Sequence, residues 1–347
     1  MGAAARRAAA VRRSRGGGIL RTLVTGSAGH LGEALVLTLR ERGERVRGMD
    51  VKASPFTDVV GSVADRRRVA EAMDGVDAVL HAATLHKPHV VTHSRQDFVD
   101  TNVSGTLALL EAAQRAGVER FVFVSTTSMY GHAMRPGPGA PAVWVTEALR
   151  PVPRNIYGVT KTAAEDLCEL AHRRDGLPVL ILRTSRFFPE IDDDEARRAA
   201  LADGNLKAVE YLNRRVDIED VVDAVLLARE KVQAIGFDRY IVSATSPFEQ
   251  SDLEALRGGA AAVLAERVPE AATLLETLGW SMVPDVDRVY DNSRARERLA
   301  WAPRHDFLTT LRRAAETGDW RSPLARRIGH KGYHDVEFDD GPFPVED

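Results

Sequence analysis

Cysteine is almost absent from this chain of 347 residues, since Cys168 is the only one. A lone cysteine excludes an intramolecular disulfide. Cys168 lies at helical spacing from Ala164, Leu167 and Ala171, which predicts that it belongs to the apolar face of a helix. No basic partner is placed beside it to activate the thiol. We therefore interpret Cys168 as a small buried hydrophobic residue rather than as a nucleophile.

Long apolar runs and a large charge imbalance are absent as well. No segment approaches the ~18 consecutive apolar residues that a membrane-spanning helix needs. The net charge of -3 gives no electrostatic reason to expect nucleic acid or an anionic membrane as a partner. With 44% hydrophobic and 28% charged residues, the composition is that of an ordinary globular protein. We therefore expect a soluble protein whose compartment is the cytoplasm.

The two ends of the chain differ in composition from the rest. Residues 1–18 are rich in alanine, arginine and glycine, contain no acidic residue and lack the apolar core of a secretory signal. We interpret them as a disordered extension, with a transit peptide as the alternative. Residues 318–347 mix aromatic side chains with turn residues, which predicts a C-terminal tail rather than a domain.

Between these ends, strand patterns alternate with helix patterns. Each strand pattern is a short apolar run rich in β-branched residues, as is typical of parallel strands buried on both faces. The alternation predicts an α/β fold, namely a Rossmann-type doubly wound parallel sheet with a smaller, mostly helical C-terminal lobe. The runs are ILRTLVTG from Ile19, RVRGMD, DAVLHAA, RFVFVS and LPVLILRTS.

We predict a division of this part of the chain near residue 185. Residues 19–185 would form a nucleotide-binding domain, which includes a helix that starts near Tyr157. Residues 186–317 would form the lobe that binds the substrate, with a strand at 238–244 that returns to the main sheet. Within the first of these units, five prolines in the segment from His132 to Arg154 indicate an irregular loop.

A glycine-rich turn follows the first predicted strand and opens the first helix. In VTGSAGHLG, Gly26 allows a tight turn, Gly29 lets the backbone approach a pyrophosphate, and Gly32 lets the helix pack closely on the sheet. Asp50 ends the second strand, where a carboxylate accepts hydrogen bonds from an adenosine ribose and repels a 2′-phosphate. The pattern therefore favours NAD as cofactor. Lys52, next to Asp50, keeps NADP as an alternative.

A second pattern, YGVTK, places Tyr157 and Lys161 on one face of a helix. A free tyrosine has a pKa of about 10 and is a poor base at neutral pH. A nearby lysine ammonium and the positive nicotinamide of the cofactor favour the phenolate. Tyr157 is therefore a candidate base, and Lys161 is the candidate residue that lowers its pKa.

Two clusters superficially resemble metal sites, and we predict no metal at either. His86, His89 and His93 have metal-like spacing, but Pro88 disfavours a helix that would present them on one face, and a further ligand is missing. The acidic residues at 192–194 are better explained as a solvated surface before a helix.

The order of these motifs resembles that of the extended short-chain dehydrogenase/reductase superfamily, in particular its NAD-dependent epimerase/dehydratase family and the nucleotide-sugar 4-epimerases. The resemblance covers about residues 19–307 and includes GSVAD, HAAT, NVSGT, STTSMYG, YGVTK and LRTSRFFPE. It implies a catalytic set of Thr126, Tyr157 and Lys161. It also implies that the cofactor contacts Gly26, Ala28, Gly29, His30, Leu31, Gly32, Asp50, Asp65, Ala82, Ala83, Asn102, Ser125, Tyr157 and Lys161.

The same resemblance limits the reaction. Thr126 would hydrogen-bond the reacting oxygen while Tyr157 moves the proton. Family 4,6-dehydratases carry an Asp-Glu pair directly after this threonine, whereas this chain has Thr127 and Ser128, so dehydration is not expected. An epimerase acting on a sugar or nucleotide sugar through a keto intermediate is the main hypothesis. The alternatives are a dehydrogenase of a non-nucleotide sugar or alcohol and a non-catalytic NAD-binding scaffold.

The substrate half departs from the usual pattern of the family. Arg186 replaces the usual asparagine, and the usual Arg-Asp-aromatic run is replaced by Asn213-Arg214-Arg215. Guanidinium groups suit a substrate diphosphate, but they are equally common at surfaces. The predicted substrate-binding residues are His86, Thr127, Ser128, Arg186 and Arg215. The resemblance also implies a homodimer, formed through the helix near 97–116 and the Tyr157 helix.

Overall fold

The computed structural model describes residues 20–192 and 194–332. The extension predicted for residues 1–18 and the part of the tail after residue 332 lie outside the described residues. Within them the strands are β1 (Arg21–Thr25), β2 (Arg45–Asp50), β3 (Val59–Val60), β4 (Ala78–His81), β5 (Arg120–Thr126), β6 (Val143–Val145), β7 (Val179–Thr184), β8 (Phe237–Val242) and β9 (Arg288–Tyr290).

Helices connect the strands and continue into the C-terminal part of the chain. None of the helices in the described residues has the length and apolarity needed to span a bilayer. The helices are α1 (His30–Glu41), α2 (Arg66–Met73), α3 (Arg95–Phe98), α4 (Gly105–Ala116), α5 (Ile156–Asp175), α6 (Glu195–Ala200), α7 (Asp203–Glu210), α8 (Ile218–Ile235), α9 (Leu256–Arg267), α10 (Ala271–Leu278), α11 (Ser293–Leu299), α12 (Phe307–Thr317) and α13 (Pro323–Ile328).

Seven strands form one parallel sheet in the order β3-β2-β1-β4-β5-β7-β8. The strand order reverses between β1 and β4, so the sheet is doubly wound and has a crevice at the carboxyl ends of these two strands. The predicted α/β fold with a Rossmann-type sheet is therefore confirmed. Strand β8 returns to this sheet beside β7, although it lies far along the chain.

Side chains alternate between the two faces of the sheet and build two separate cores. On one face, strand residues such as Val24, Leu80 and Val122 pack against helices α1 and α8. On the other face, their neighbours Leu23 and Val79 pack against α2, α4 and α5. Because both faces are covered, nearly every position of the central strands is buried, and the middle of each strand is apolar. Cys168 lies in the second core, as expected, and burial raises the pKa of its thiol.

A third core lies in the C-terminal part of the chain. It is built largely from α7, α9, α10 and α12, together with β9 and the segment 142–144 that includes the start of β6. The proline-rich segment predicted to be irregular contains one short strand, β6, because Val143 to Val145 pair with β9. The helix predicted near 97–116 is also interrupted, since a wider π-type turn over Val99–Ser104 separates α3 from α4. The proposed division of the chain near residue 185 stays a prediction.

Close backbone contact fixes the first turn of the fold. A methyl group on Gly32 would lie 1.8 Å from the carbonyl oxygen of Gly26, and one on Gly26 would lie 2.8 Å from the amide nitrogen of Ala83. Gly26 also has a φ of 75°, in the left-handed region. Helix α1 can therefore start directly behind β1 only if these positions remain glycine.

Substitution of Gly32 tests this packing. Gly32→Ala forces a methyl group into backbone atoms, so we expect the free energy of unfolding to fall by about 3 kcal/mol or more. Gly137→Ala is the matched control, because a methyl group there meets nothing within 4 Å, and it should change stability by less than about 0.5 kcal/mol. Urea unfolding followed by circular dichroism measures both. Equal stability of the two variants would contradict the packing described here.

Candidate active site

The carboxyl ends of the central strands open into a cavity of about 1310 Å³. Strands β1, β4, β5 and β7 end at its floor, and the C-terminal part of the chain forms its other side. Four predicted site residues, Asp65, Asn102, Lys161 and Arg215, do not line it. The predicted site residues that line it are Gly26, Ala28, Gly29, His30, Leu31, Gly32, Asp50, Ala82, Ala83, His86, Ser125, Thr126, Thr127, Ser128, Tyr157 and Arg186.

The glycine turn has the form that a dinucleotide requires. Gly29 is the N-cap of helix α1, and no side chain caps the first amide groups of this helix. The first residues of the helix line the cavity, so its N-terminus faces the cavity. Positive dipole charge and free N–H groups at a helix N-terminus favour a pyrophosphate. Because Gly26, Gly29 and Gly32 line the cavity and carry no side chains, the backbone of the turn is open to a pyrophosphate, and the residues present fit NAD.

Asp50 lies at the end of β2 and lines the same cavity. Its carboxylate accepts hydrogen bonds from the amide of Ala28, at 3.0 Å, and from the amide of Lys52, at 2.9 Å. These bonds hold the carboxylate at the edge of the glycine turn, where a ribose would lie. The geometry is that of an NAD-preferring site, as the sequence pattern indicates.

Asp65 has a different position from the one expected. Its carboxylate accepts hydrogen bonds from the amides of Arg67 and Arg68 and so caps helix α2. It does not reach the cavity, whereas Ser62 and Val63, directly after β3, do line it. The cofactor contact expected of Asp65 is therefore not supported by its position. Sequence reasoning chose the charged residue, although a helix-cap pattern was visible.

Tyr157 and Thr126 lie close together in the wall of the cavity, near enough for their hydroxyl groups to interact. Thr126 ends β5, and Tyr157 lies in the first turn of α5, whose N-terminus is capped by Asn155. Burial raises the pKa of Tyr157 to about 12, while the nearby hydroxyl group of Thr126 acts in the opposite direction. The protein alone therefore holds a neutral phenol next to a hydroxyl group.

Lys161 lies one helical turn after Tyr157 but does not face the cavity. Its ammonium group donates to the carbonyl of Val124, at 2.8 Å, and lies 3.9 Å from the centroid of the Phe123 ring. Burial lowers the pKa of Lys161 to about 7, although Glu165 acts in the opposite direction. The expected effect of Lys161 on the pKa of Tyr157 is thus not present in this conformation, and its catalytic role stays a prediction.

A buried ion pair connects the parts that carry these groups. Arg183 of β7 pairs with Glu165 of α5, with 2.7 Å between Nη2 and Oε2, and both side chains are at most 5% exposed. Arg183 also donates to the hydroxyl of Tyr130, at 2.9 Å. We term Arg183, Glu165 and Tyr130 the arginine network. It fixes the helix of Tyr157 and the segment after Thr126 to the same strand.

Asn102 is buried beneath the cavity and organises the loop after β4. Its side chain bonds to both backbone groups of Leu85, to the hydroxyl of Thr84 and to the hydroxyl of Thr160 on α5. Because these bonds engage its side chain and Asn102 does not line the cavity, its role in this structure is to position the loop. The π-type turn around Asn102 turns its side chain towards that loop.

The loop that Asn102 holds carries His86 into the cavity. The His86 ring centroid lies 6.5 Å from that of Tyr157 and 5.6 Å from that of Phe188. His89 and His93 follow on a short turn and also line the cavity. Within the described residues, no three His, Cys, Asp or Glu side chains are arranged to hold a metal ion.

Several arginines line the end of the cavity that faces the C-terminal part of the chain. Arg186 lines it and pairs with the buried carboxylate of Asp192, at 2.5 Å, and Arg214 lines it and pairs with buried Glu210, at 2.6 Å. Burial would raise the pKa of Asp192, but Arg186 and Arg197 hold it well below its usual value. Arg215, expected at the substrate, is itself buried against Glu210, at 2.7 Å, and does not line the cavity.

Several residues of the site were not found from the sequence. Asn155 had a recognisable signal, since an asparagine before a helical pattern is a typical N-cap. Glu165 follows Lys161 at the same spacing that separates Lys161 from Tyr157, so its position on that helix face was also visible. Phe188 and Glu190 carry no pattern of their own, because an irregular loop places them.

Comparisons with known proteins match this chain to a described family. The model of the NAD-dependent epimerase/dehydratase family matches residues 22–242. In the computed structure this range runs from β1 to β8 and so contains the glycine turn, Thr126 and Tyr157.

Individual proteins give similar results. The chain is 33% identical to a 3β-hydroxysteroid dehydrogenase/Δ5→4-isomerase of Mycobacterium tuberculosis, over 51% of this chain and only 50% of that protein. It is 27% identical to a UDP-glucose 4-epimerase of Rhizobium leguminosarum bv. trifolii, over 86% of this chain and 97% of that one. The fold is also similar to the crystal structure of a short-chain dehydrogenase/reductase superfamily protein from Agrobacterium tumefaciens with bound NAD. The TM-score is 0.63 and the sequence identity is 26%, over 88% of this chain and 97% of that one.

Breaking the arginine network should destabilise the protein strongly. Arg183→Met leaves the buried carboxylate of Glu165 without its main partner, so we expect a loss of about 3–5 kcal/mol in the free energy of unfolding. Arg312→Met removes an exposed ion pair with Glu270 and should leave the free energy of unfolding almost unchanged. Urea unfolding compares the two, and an equal cost would contradict the role of the network.

Removing the charge of Asp50 should change the choice of cofactor. Asp50→Asn keeps the side-chain shape but no longer repels a 2′-phosphate, so we expect the ratio of NADP to NAD affinity to rise about tenfold. Asp65→Asn is the control, because asparagine also caps a helix and this position does not line the cavity. Calorimetric titration measures both affinities. An unchanged ratio in Asp50→Asn, or weaker NAD binding in Asp65→Asn, would contradict this assignment.

Proposed function

Because this chain belongs to the NAD-dependent epimerase/dehydratase family, whose members are enzymes, we propose that it oxidises a secondary hydroxyl group of a sugar or nucleotide sugar to a ketone and returns the hydride in an epimerase-type cycle. The observation that carries the proposal is that Thr126 and Tyr157 lie close together in the wall of the cavity that also contains the glycine turn. A neutral phenol and a hydroxyl group at this place suit proton transfer to and from one substrate oxygen.

Each group has a defined task in this proposal. Thr126 holds the reacting oxygen, and Tyr157 takes its proton during oxidation and gives it back during reduction. Bound NAD accepts the hydride and brings a positive charge into the site. Since burial holds the pKa of Tyr157 at about 12 in the protein alone, the phenol needs that positive charge and the ammonium of Lys161 to become a base near neutral pH.

Dehydration has no support in this site. The hydroxyl of Thr127 is buried and donates to the carbonyl of Thr184, at 3.4 Å, and Ser128 lines the cavity with a hydroxyl group. Neither position carries a carboxyl group that could remove a proton and protonate a leaving hydroxyl. The site therefore supports oxidation of the hydroxyl group to a ketone and reduction of that ketone, without loss of water.

The second candidate is a dehydrogenase acting on an alcohol that carries no nucleotide. It is favoured by the state of the arginines, because Asp192 and Glu210 already pair with Arg186 and Arg214 at the end of the cavity where a diphosphate would lie. The similarity to a steroid dehydrogenase points in the same direction, although it covers only half of that protein. A non-catalytic scaffold is least supported, since it has no need for Thr126 and Tyr157 in contact.

A homodimer through helices α4 and α5 stays a prediction. Two apolar side chains on α5, Val159 and Leu170, are 49% and 46% exposed in the single chain. Such side chains suit a helix face that packs against a second copy.

The two candidate reactions differ in how firmly the cofactor is held. An epimerase keeps NAD through every cycle, whereas a dehydrogenase must release the reduced cofactor. We therefore expect the purified protein to retain NAD through gel filtration, as shown by its ultraviolet spectrum and by the mass of the released ligand. An empty protein that reduces added NAD with a sugar or another alcohol would contradict the epimerase and support the dehydrogenase.

Substitution of Tyr157 tests the chemistry that both candidates share. Tyr157→Phe removes the proton-carrying oxygen and keeps the ring, so we expect turnover of UDP-glucose, or of the alcohol identified in the preceding experiment, to fall by about 10²–10⁴-fold. NAD affinity and thermal stability should stay close to those of the wild type. Unchanged turnover would contradict the role of Tyr157 and with it the enzymatic proposal.

A further inference from the structure

The last described residues of the chain return to the cofactor side of the cavity. Helix α13 ends at Ile328, and Gly329, which has a φ of 65°, turns the chain away from the axis of this helix. Lys331 and Gly332 then line the same cavity as the glycine turn. These residues therefore belong to the site, although their composition predicts only a tail.

Two carboxylates hold Lys331 in this position. Its backbone amide donates to Oε1 of Glu190, at 2.9 Å, and its ammonium group pairs with the carboxylate of Glu33. Glu33 lies in the first turn of α1, directly behind the glycine turn, whereas Glu190 lies in the loop after β7 and lines the cavity. Lys331 thus connects the end of the described chain to two elements that form the cofactor side of the cavity.

His30 extends these contacts to the place where a pyrophosphate would bind. Nε2 of His30 lies 2.6 Å from Oε1 of Glu190, and both residues line the cavity. Burial would raise the pKa of Glu190, but the contact with His30 and the amide of Lys331 hold this pKa below its usual value. Glu190 is therefore a carboxylate at neutral pH. One of its oxygens contacts both the first residue of α1 and the end of the described chain.

Burial distinguishes the pair of Lys331 and Glu33 from a second ion pair between the same two parts of the chain. The side chains of Lys331 and Glu33 are 23% and 12% exposed. Arg327, near the end of α13, pairs with Glu41 at the other end of α1, and these side chains are 52% and 58% exposed. Water and salt screen such an exposed pair, so it contributes little. The pair at the cavity is shielded and holds the segment 329–332 more firmly.

We propose that Lys331, Glu33 and Glu190 form a latch that controls the exchange of NAD, and we term these three residues the C-terminal latch. While the latch is closed, the segment 329–332 stays against the N-terminus of α1, beside the pyrophosphate site. When the ammonium group leaves Glu33, the segment moves away and the cofactor can enter or leave. This inference rests on the proposed function, because an epimerase-type cycle needs NAD to stay bound after each oxidation.

The rate of cofactor release tests the latch without knowledge of the substrate. The whole protein is equilibrated with NADH and mixed with a large excess of NAD, and release is followed by stopped flow as the change in nicotinamide fluorescence. Lys331→Met should release NADH about five- to tenfold faster than the wild type, since a shielded ion pair is lost. Lys331→Arg keeps the charge and should stay close to the wild type. Arg327→Met is the matched control and should release NADH at the wild-type rate.

The partner of Lys331 separates a latch from a simple effect of charge. Glu33→Gln breaks the same ion pair, but it removes a negative charge near the pyrophosphate site. A latch predicts faster release of NADH from this variant. A lysine that only attracts the pyrophosphate predicts slower release, because the N-terminus of α1 then carries more positive charge. Thermal unfolding shows that each variant is folded.

The outcomes distinguish the latch from the proposed function. Faster release from both Lys331→Met and Glu33→Gln, with an unchanged rate in Arg327→Met, supports the latch. Every other result overturns it, including opposite changes in the first two variants, an unchanged rate in Lys331→Met or equal acceleration in Arg327→Met. These results leave the proposed function unaffected as long as the wild type binds NADH. If the wild type does not bind NADH, the latch and the proposed function both fail.

Discussion

The buried pair between Arg183 and Glu165 is the interaction on which the geometry of the site depends. It connects the strand β7 to the helix α5, and through Tyr130 it also holds the segment that follows Thr126. Taking two charges out of water is costly, so such a pair is retained where position matters more than stability. Here it brings Thr126 to Tyr157, and every proposed chemical step uses that contact.

Much of this arrangement could be predicted because it is encoded locally. The glycines of the first turn are required by backbone contacts of a few ångströms, so their spacing identifies the turn without knowledge of the rest of the fold. The apolar strands are equally clear, since both faces of the sheet are covered. Tyr157 was found from its spacing to Lys161 at the start of α5, whereas Thr126, at the end of β5, was found only through the resemblance to the family.

Side-chain direction could not be predicted in the same way. Asp65 and Asn102 have residue types that suit a ligand, but the structure uses them to cap a helix and to hold a loop. Arg215 was expected at the substrate, yet buried Glu210 turns it away from the cavity. The deciding partners of Asn102 and Arg215 are not revealed by spacing along the chain, whereas the helix cap formed by Asp65 had a visible pattern. His86 entered the prediction only as a substrate contact, because its closeness to Tyr157 depends on the fold.

The central claim is that Tyr157, neutral in the protein alone, becomes the base of the site when NAD binds. The ultraviolet absorbance of the phenolate measures this most directly, as the difference between wild type and Tyr157→Phe over a pH titration. Without NAD the titration should follow the raised pKa of about 12, and with oxidised NAD it should move down by several pH units towards neutrality. A Tyr157 titration that stays near its original position in the NAD complex would contradict the account.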